Sequence, residues 1–205
     1  MRNAVLALLS LFLLVCVESA PMSDRGRGLR DGPAMPADLA AASPLPGIDL
    51  DNAVLRTSKA GVDLIEKSEG LSLSAYPLAG QWLIGYGHAG AEPGETITGA
   101  EAERLLHNDL ARTEAALAGL LPQDLNDNQF SALASLAYNL GVGSFRETLV
   151  YKRLMAGDRA GAADAFLYLD SARIDGEMKE LASLKARRTE ERALFLTPVA
   201  GAGDG

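Results

Sequence analysis

The sequence is poor in cysteine and histidine, has no basic surplus, and has no apolar run long enough for a comfortable membrane span. One cysteine, Cys16, in 205 residues excludes an internal disulfide. It lies inside an N-terminal apolar run, so an exported mature form carries no thiol and is insensitive to the redox state of its compartment. Two histidines, His88 and His107, with no spare cysteine argue against a structural zinc site; no metal and no cofactor are expected. The net charge is −8, and its location matters more than its size. Residues 21–60 hold five acids and five bases, whereas residues 61–205 hold 21 acids and 13 bases. An acidic domain repels phosphate backbones, which excludes nucleic acid as a partner, and no basic run suggests a membrane-surface patch.

What is present is ordinary globular composition, with 48% apolar and 22% charged residues. Wholesale disorder, a multi-pass membrane protein and a collagen-like fibre are excluded. The length suits one domain with appendages, and no internal repeat is visible. Met1–Ala20 reads as an export signal of the Sec type. Arg2 and the amino terminus supply positive charge, and Ala4–Val17 is an apolar run of 14 residues. Val17-Glu18-Ser19 is a tolerable cleavage site; a retained N-terminal anchor and a lipoprotein at Cys16 are the alternatives. The destination is the periplasm or the cell exterior. Residues 21–50 contain five Pro and four Gly, so residues 21–56 read as an irregular tether. The domain is then expected to cover 57–198, with residues 199–205 expected as a flexible tail.

Within the domain the spacing predicts a helix from about Ser58 to Glu69, with Gly70 as its left-handed cap. Residues 71–88 carry short apolar runs, aromatics and glycines, which suggests a small hairpin or sheet. Thr98-Gly99-Ala100-Glu101 is a capping-box pattern opening a helix to about Leu120. Three or four more helices are expected, near 127–140, 145–156, 159–169 and 178–195. The last places Leu181, Leu184, Arg188, Glu191 and Phe195 at helical spacing. The fold class is therefore α+β: one helix, a small sheet and a helical lobe, with a cleft between the lobes, and a monomer is expected.

One carboxylate stands out. Glu69 projects between the directions of Val62 and Ile65, on the apolar face of the first helix and in its last turn. Burial and the partial negative charge of a helix C-terminus both favour the protonated acid, which a general acid needs to be. The spacing alone also fits an ordinary last-turn Glu, solvated or salt-bridged, which is the commoner case. Downstream, Gly85, Gly87 and Gly90 match G-x-G-x-x-G, but the chain runs into Pro93-Gly94 where a dinucleotide fold needs a helix to begin. A strand whose glycines admit close packing or a ligand is the better reading. His88 reads as a hydrogen-bonded structural histidine rather than a catalytic one. No G-x-S-x-G elbow exists, and no cysteine is available as a nucleophile.

Taken in order, Glu69-Gly70-Leu71, Ala75-Tyr76 and Ile84-Gly85-Tyr86-Gly87-His88 resemble the front half of phage-type lysozymes, glycoside hydrolase family 24. The resemblance continues through Ile97-Thr98-Gly99-Ala100-Glu101-Ala102-Glu103, Leu105-Leu106, Asn128-Gln129-Phe130-Ser131-Ala132-Leu133 and Tyr138-Asn139-Leu140-Gly141. It closes with Arg187-Arg188 and Leu194-Phe195, and so covers about residues 60–197. It implies a lysozyme-like fold and cleavage of the β-1,4 link between N-acetylmuramic acid and N-acetylglucosamine in peptidoglycan. It implies that Glu69 is the general acid that protonates the leaving oxygen. It also implies that an arginine of the Arg187-Arg188 pair reaches Glu69, which would favour the ionised acid against the effect of burial; a solvated helix end is the alternative. Tyr76, Gly87 and Asn139 are candidates for the substrate cleft, and His88 for a supporting role.

Two positions depart from the family pattern. The family's Asp falls on Leu78 counting forward from Glu69, or nearer Pro77 counting back from Ile84, because the turn looks one residue short. The family's Thr falls on Leu83. No Asp or Glu occurs between Gly70 and Ala91. An inverting glycosidase needs a second carboxylate to activate water, and leucine cannot supply it. Three functions therefore compete. The first is a muramidase working through Glu69. The second is a lytic transglycosylase-like reaction, in which the sugar's own 6-hydroxyl attacks and one Glu serves as acid and then base. The third is a non-catalytic module that grips glycan strands. The acidic charge implies wall attachment that is only weakly salt-sensitive.

Overall fold

The structure, a computed structural model, describes residues 55–78, 80–174 and 177–198. The segments expected to be an export signal and a tail, and nearly all of the expected tether, lie outside the described residues. Helix α1 (Lys59–Glu69) is followed by strands β1 (Ser72–Leu78), β2 (Gln81–Gly85) and β3 (His88–Ala89). Next come α2 (Gly99–Ala118), α3 (Asp127–Leu140), α4 (Val142–Glu147), α5 (Leu149–Met155) and α6 (Arg159–Ala165). A 3-10 turn (Phe166–Tyr168), the hairpin β4 (Ser171–Ile174) and β5 (Glu177–Glu180), and α7 (Ala182–Leu196) complete the elements among the described residues. The arrangement is α+β, a three-stranded antiparallel sheet beside a helical lobe.

Caps explain where the long helices start. The Ser58 hydroxyl accepts from the Gly61 amide at the head of α1. At α2, Thr98 Oγ1 accepts from the Glu101 amide while Glu101 Oε2 accepts from the Thr98 amide at 2.8 Å. Asn126 and Gln129 form the same reciprocal pair at α3. Each side-chain cap satisfies backbone donors that the first turn leaves unpaired, worth about 1 kcal/mol apiece. Gly70 does close α1, its amide donating to Glu66 O at 2.9 Å. Its backbone is not the left-handed helical one expected, however. At φ 71° and ψ 159° it occupies a region open essentially to glycine alone, which turns the chain directly into β1.

Helix α3 is the centre of the helical lobe, and it packs against α1, α2, α4 and α7. Phe130, Leu133, Leu136, Phe145, Val150, Phe166 and Phe195 are buried in one cluster. Burial of side chains of this size contributes about 1.5–3 kcal/mol each. A smaller cluster of Ile65, Leu106 and Leu110, flanked by Val62, Tyr86 and Tyr138, joins α1 and α2.

The helix expectations need correction in the C-terminal half. The segment 145–156 is two helices, broken at Thr148, whose backbone is extended and whose Oγ1 accepts from the Tyr151 amide to start α5. The segment 159–169 is α6 followed by the 3-10 turn. The segment 178–195 begins as strand β5, and α7 starts only at Ala182. Five helices follow α2 among the described residues, not three or four.

In the sheet, Tyr76 pairs with Leu83, Pro77 with Trp82 and Leu78 with Gln81, while Leu83 also pairs with Ala89. Directly opposed residues share a face, so Tyr76, Leu83 and Ala89 form one row, with Leu78 two residues along on the same face. A bulge between Ser72 and Tyr76 releases part of β1 from β2. That part bonds instead to the segment before α2, through the Ala75 amide to Glu95 O and the Ile97 amide to Leu73 O.

Candidate active site

Glu69 ends α1 with its side chain almost wholly enclosed. The apolar spacing of Val62 and Ile65 dictates this, because the helix buries that face against α2 and α3. The carboxylate meets a cation from the far end of the sequence: Arg187 Nη1 donates to Glu69 Oε1 at 2.6 Å. The alternative of a solvated helix end is excluded for both arginines, since Arg187 is 4% exposed and Arg188 is not exposed at all.

The two arginines sit in a network of buried side chains. Arg187 Nε donates to Glu191 Oε1 at 3.0 Å, and Arg187 Nη2 donates to Ser135 O at 3.1 Å. Arg188 Nη1 donates to Glu191 Oε2 at 2.7 Å, Nε to Leu169 O at 3.1 Å, and Nη2 to Asn139 Oδ1. Ser135 Oγ donates to Glu191 Oε1 at 2.7 Å. Two guanidiniums therefore face two carboxylates, so the buried cluster is neutral in sum, as buried charges must nearly be. Burial, the largest single influence on Arg187, pulls its guanidinium down; the Glu69 and Glu191 carboxylates together outweigh that and raise it. Arg187 is a permanent cation.

Around Glu69 the sheet and α3 supply an aromatic frame. The Tyr76 hydroxyl is raised above the ordinary tyrosine range, first by burial and then by the charge of Glu69. Tyr138, on α3, is raised further for the same two reasons, with Asp109 adding to them. Its hydroxyl donates to Tyr86 O at 3.1 Å, which ties α3 to the sheet. Gly87 has φ 89°, and a Cβ built there would lie 3.8 Å from Glu69 Oε2. The bare backbone at Gly87 thus leaves room beside the carboxylate that a side chain would occupy. Gly87 also lines a cavity of about 270 Å³ with His88, Asp109, Arg112, Tyr138 and Gly141.

The other expected residues are distributed as follows. His88 Nδ1 lies 2.7 Å from Asp109 Oδ2, and Arg112 holds the other Asp109 oxygen, so His88 pins β3 to α2. Asn139 is buried, engaged by Arg188, and borders a second cavity of about 310 Å³ with Thr148, Tyr168 and Met178. Pro77 is exposed, Leu78 half-buried and Leu83 buried. Leu78 and Leu83 share the face of Tyr76, so that face is aliphatic where the resemblance expects an Asp and a Thr. Among the described residues no group of three His, Cys, Asp or Glu side chains is placed to hold a metal ion. Sequence reasoning missed Glu191, Ser135 and Asp109 as members of these networks. The signal for Glu191 was its position four residues after Arg187 and three after Arg188, a spacing that makes ion pairs on one helix.

Residues 66–191 match the family model described as Phage lysozyme. The chain belongs to the phage lysozyme family. It is 37% identical over 143 residues to the endolysin of Acyrthosiphon pisum secondary endosymbiont phage 1, covering 69% of this chain and 98% of that protein. It is 36% identical over 151 residues to the endolysin of Salmonella phage P22, covering 70% of this chain and all of that one. Among solved structures it resembles the muramidase domain of SpmX from Asticaccaulis excentricus, with 40% identity and a TM-score of 0.67 over 70% of this chain and 99% of that one.

Proposed function

We propose that this phage lysozyme family member cleaves the β-1,4 bond between N-acetylmuramic acid and N-acetylglucosamine in peptidoglycan, with Glu69 as general acid. The observation that carries this reading is the Glu69 carboxylate, held at the end of α1 against Arg187 with the bare backbone of Gly87 beside it. In the reaction the protonated form of Glu69 donates its proton to the glycosidic oxygen as the bond from that oxygen to C1 breaks, which leaves the carboxylate that Arg187 Nη1 holds. Water then adds to C1 and releases a proton, which returns through solvent to the Glu69 carboxylate. No carboxylate at 77, 78 or 83 activates that water, so cleavage is slow relative to a two-carboxylate site.

The aliphatic Leu78 and Leu83 favour a second reading. The 6-hydroxyl of the muramic acid attacks C1, the bond to the leaving oxygen breaks, and Glu69 gives a proton to that oxygen and takes one from the 6-hydroxyl. No water is consumed, and the product carries a 1,6-anhydro end. Digestion of purified sacculi, with products identified by mass spectrometry, separates the two. Reducing ends support hydrolysis, anhydro ends support the second reading, and binding without any soluble fragment leaves a glycan-gripping module.

Residues 1–20 are proposed to direct export, with 21–56 as a tether and the periplasm or cell exterior as the destination. The domain is proposed to act as a monomer, and its lytic activity to serve in antibacterial defence or phage release. N-terminal sequencing of protein recovered from the periplasm tests the export step: a start near Ala20 supports it, and an intact Met1 in the cytoplasm contradicts it.

A further inference from the structure

We infer that Glu191 is a positioning residue for the proposed reaction: it fixes the Arg187 guanidinium in the orientation that presents Nη1 to Glu69. The inference rests on the cleavage reading given above, but its geometry stands by itself. Glu191 has no exposed surface and lies one helical turn beyond Arg187 on α7. A guanidinium is a rigid planar fork, so fixing two of its nitrogens fixes the direction of the third. Nε is held by Glu191 Oε1, and Nη2 by the carbonyl and hydroxyl of Ser135 on α3. What remains is Nη1, and it points at Glu69 Oε1. The other Glu69 oxygen, Oε2, is the one beside Gly87.

Glu191 has a second task that no neighbour shares. Arg187 and Arg188 are adjacent in sequence and both buried, and Glu191 takes one on each carboxylate oxygen. Arg188 is anchored in turn by Asn139 and Leu169. The carboxylate keeps the two cations apart and assigns each to its own side of the cluster. Ser135 Oγ, donating to the same Glu191 oxygen, locks that carboxylate in place. Without Glu191, the only acceptors on Arg187 among these groups are Ser135 and Glu69. Nε is then released, and the fork can turn about its remaining contacts. A displacement of about 1 Å near a reacting group is enough to cost on the order of a hundredfold in rate.

The test uses the full chain on purified sacculi. Glu191→Gln removes the charge while keeping the shape. Because breaking a buried pair can unfold a protein, a double variant, Arg188→Met with Glu191→Met, removes one charge of each sign and keeps the cluster neutral. For both variants kcat is expected to fall by about tenfold or more while sacculus affinity stays within about twofold. A second readout does not depend on activity: the Arg187 Nε–H signal in ¹⁵N NMR, whose exchange with solvent is expected to speed up by about tenfold or more once its acceptor is lost. Wild-type kcat in a folded variant overturns the inference, and so does a loss of affinity with kcat unchanged. If the wild-type chain releases no fragment, the cleavage reading has failed, and the arginine signal alone then decides. Unchanged exchange of Arg187 in the double variant overturns the positioning role.

Discussion

Arg187 reaches across 118 residues of sequence to place Nη1 2.6 Å from Glu69 Oε1, with both side chains almost fully buried. The contact joins the last turn of α1 to α7, so the candidate acid is built only when both ends of the domain have come together. Fold and site are therefore not separable here. The same contact closes one side of the buried network through which α3 and α7 share Ser135, Asn139, Arg188 and Glu191.

Arg187→Met leaves Glu69 and Glu191 buried without the cation they share. Removing one partner of a buried pair costs about 3–5 kcal/mol. Urea unfolding should show a large fall in midpoint, and an unchanged midpoint contradicts the network. Arg187→Lys is expected to behave similarly, because one ammonium cannot span Glu69, Glu191 and Ser135 as the fork does.

Gly87→Val places a branched side chain at φ 89° and against the Glu69 carboxylate. The backbone strain alone costs about 1–3 kcal/mol. The folded fraction should bind sacculi but release little product, because the side chain fills the approach to Oε2. Full product release from a folded variant would show that substrate arrives by another route.

Leu78→Asp tests what the aliphatic sheet face costs. Position 78 is half-buried at the end of β1 and shares the face of Tyr76, so a carboxylate there is only partly desolvated. A positioned base is worth about 10²–10⁴-fold. The variant should release reducing-end fragments at least about tenfold faster than the native chain. No gain would mean that the hairpin does not aim residue 78 at the sugar.

Tyr138 predicts an alkaline limit to stability. Its hydroxyl titrates above the ordinary tyrosine range because of burial, with Glu69 and Asp109 adding to the effect. The unfolded chain therefore releases this proton above about pH 10 while the folded chain retains it. The unfolded state then binds fewer protons, so stability falls as pH rises through that range and is flat below it. Unfolding free energies measured between about pH 9 and pH 11 should show a shallower fall in Tyr138→Phe than in the native chain. Equal slopes contradict the assignment. Tyr76, raised for similar reasons, accounts for part of what remains.

The legible parts of the fold were those with local chemistry to announce them. Ser58, the Thr98–Glu101 box and the glycine after Glu69 mark helix ends through backbone donors and backbone angles, and these depend on a few adjacent residues. The break at Thr148 was less visible, because one threonine hydroxyl ends α4 and caps α5 within what reads as a single helical stretch. The hairpin β4–β5 was missed because its strands are short and every residue of β5 is exposed, which leaves no alternating pattern to read. Its one local signal was the Asp175-Gly176 dipeptide, a common hairpin turn pair. At the site, Glu69 and the arginine pair could be read from helical position and from the family's motifs. Which arginine meets Glu69 depends on how α7 packs on α1 and α3, a relation between segments over fifty residues apart, whereas Glu191 lies within one turn of both arginines on α7 itself.

The most direct measurement is digestion of purified sacculi by the full chain, with Glu69→Gln in parallel and products identified by mass spectrometry. Soluble muropeptides from the native chain, reduced by about 10²-fold or more in the variant, are the predicted result. Equal release by both proteins, or release by neither, would contradict the account of Glu69 as the acid.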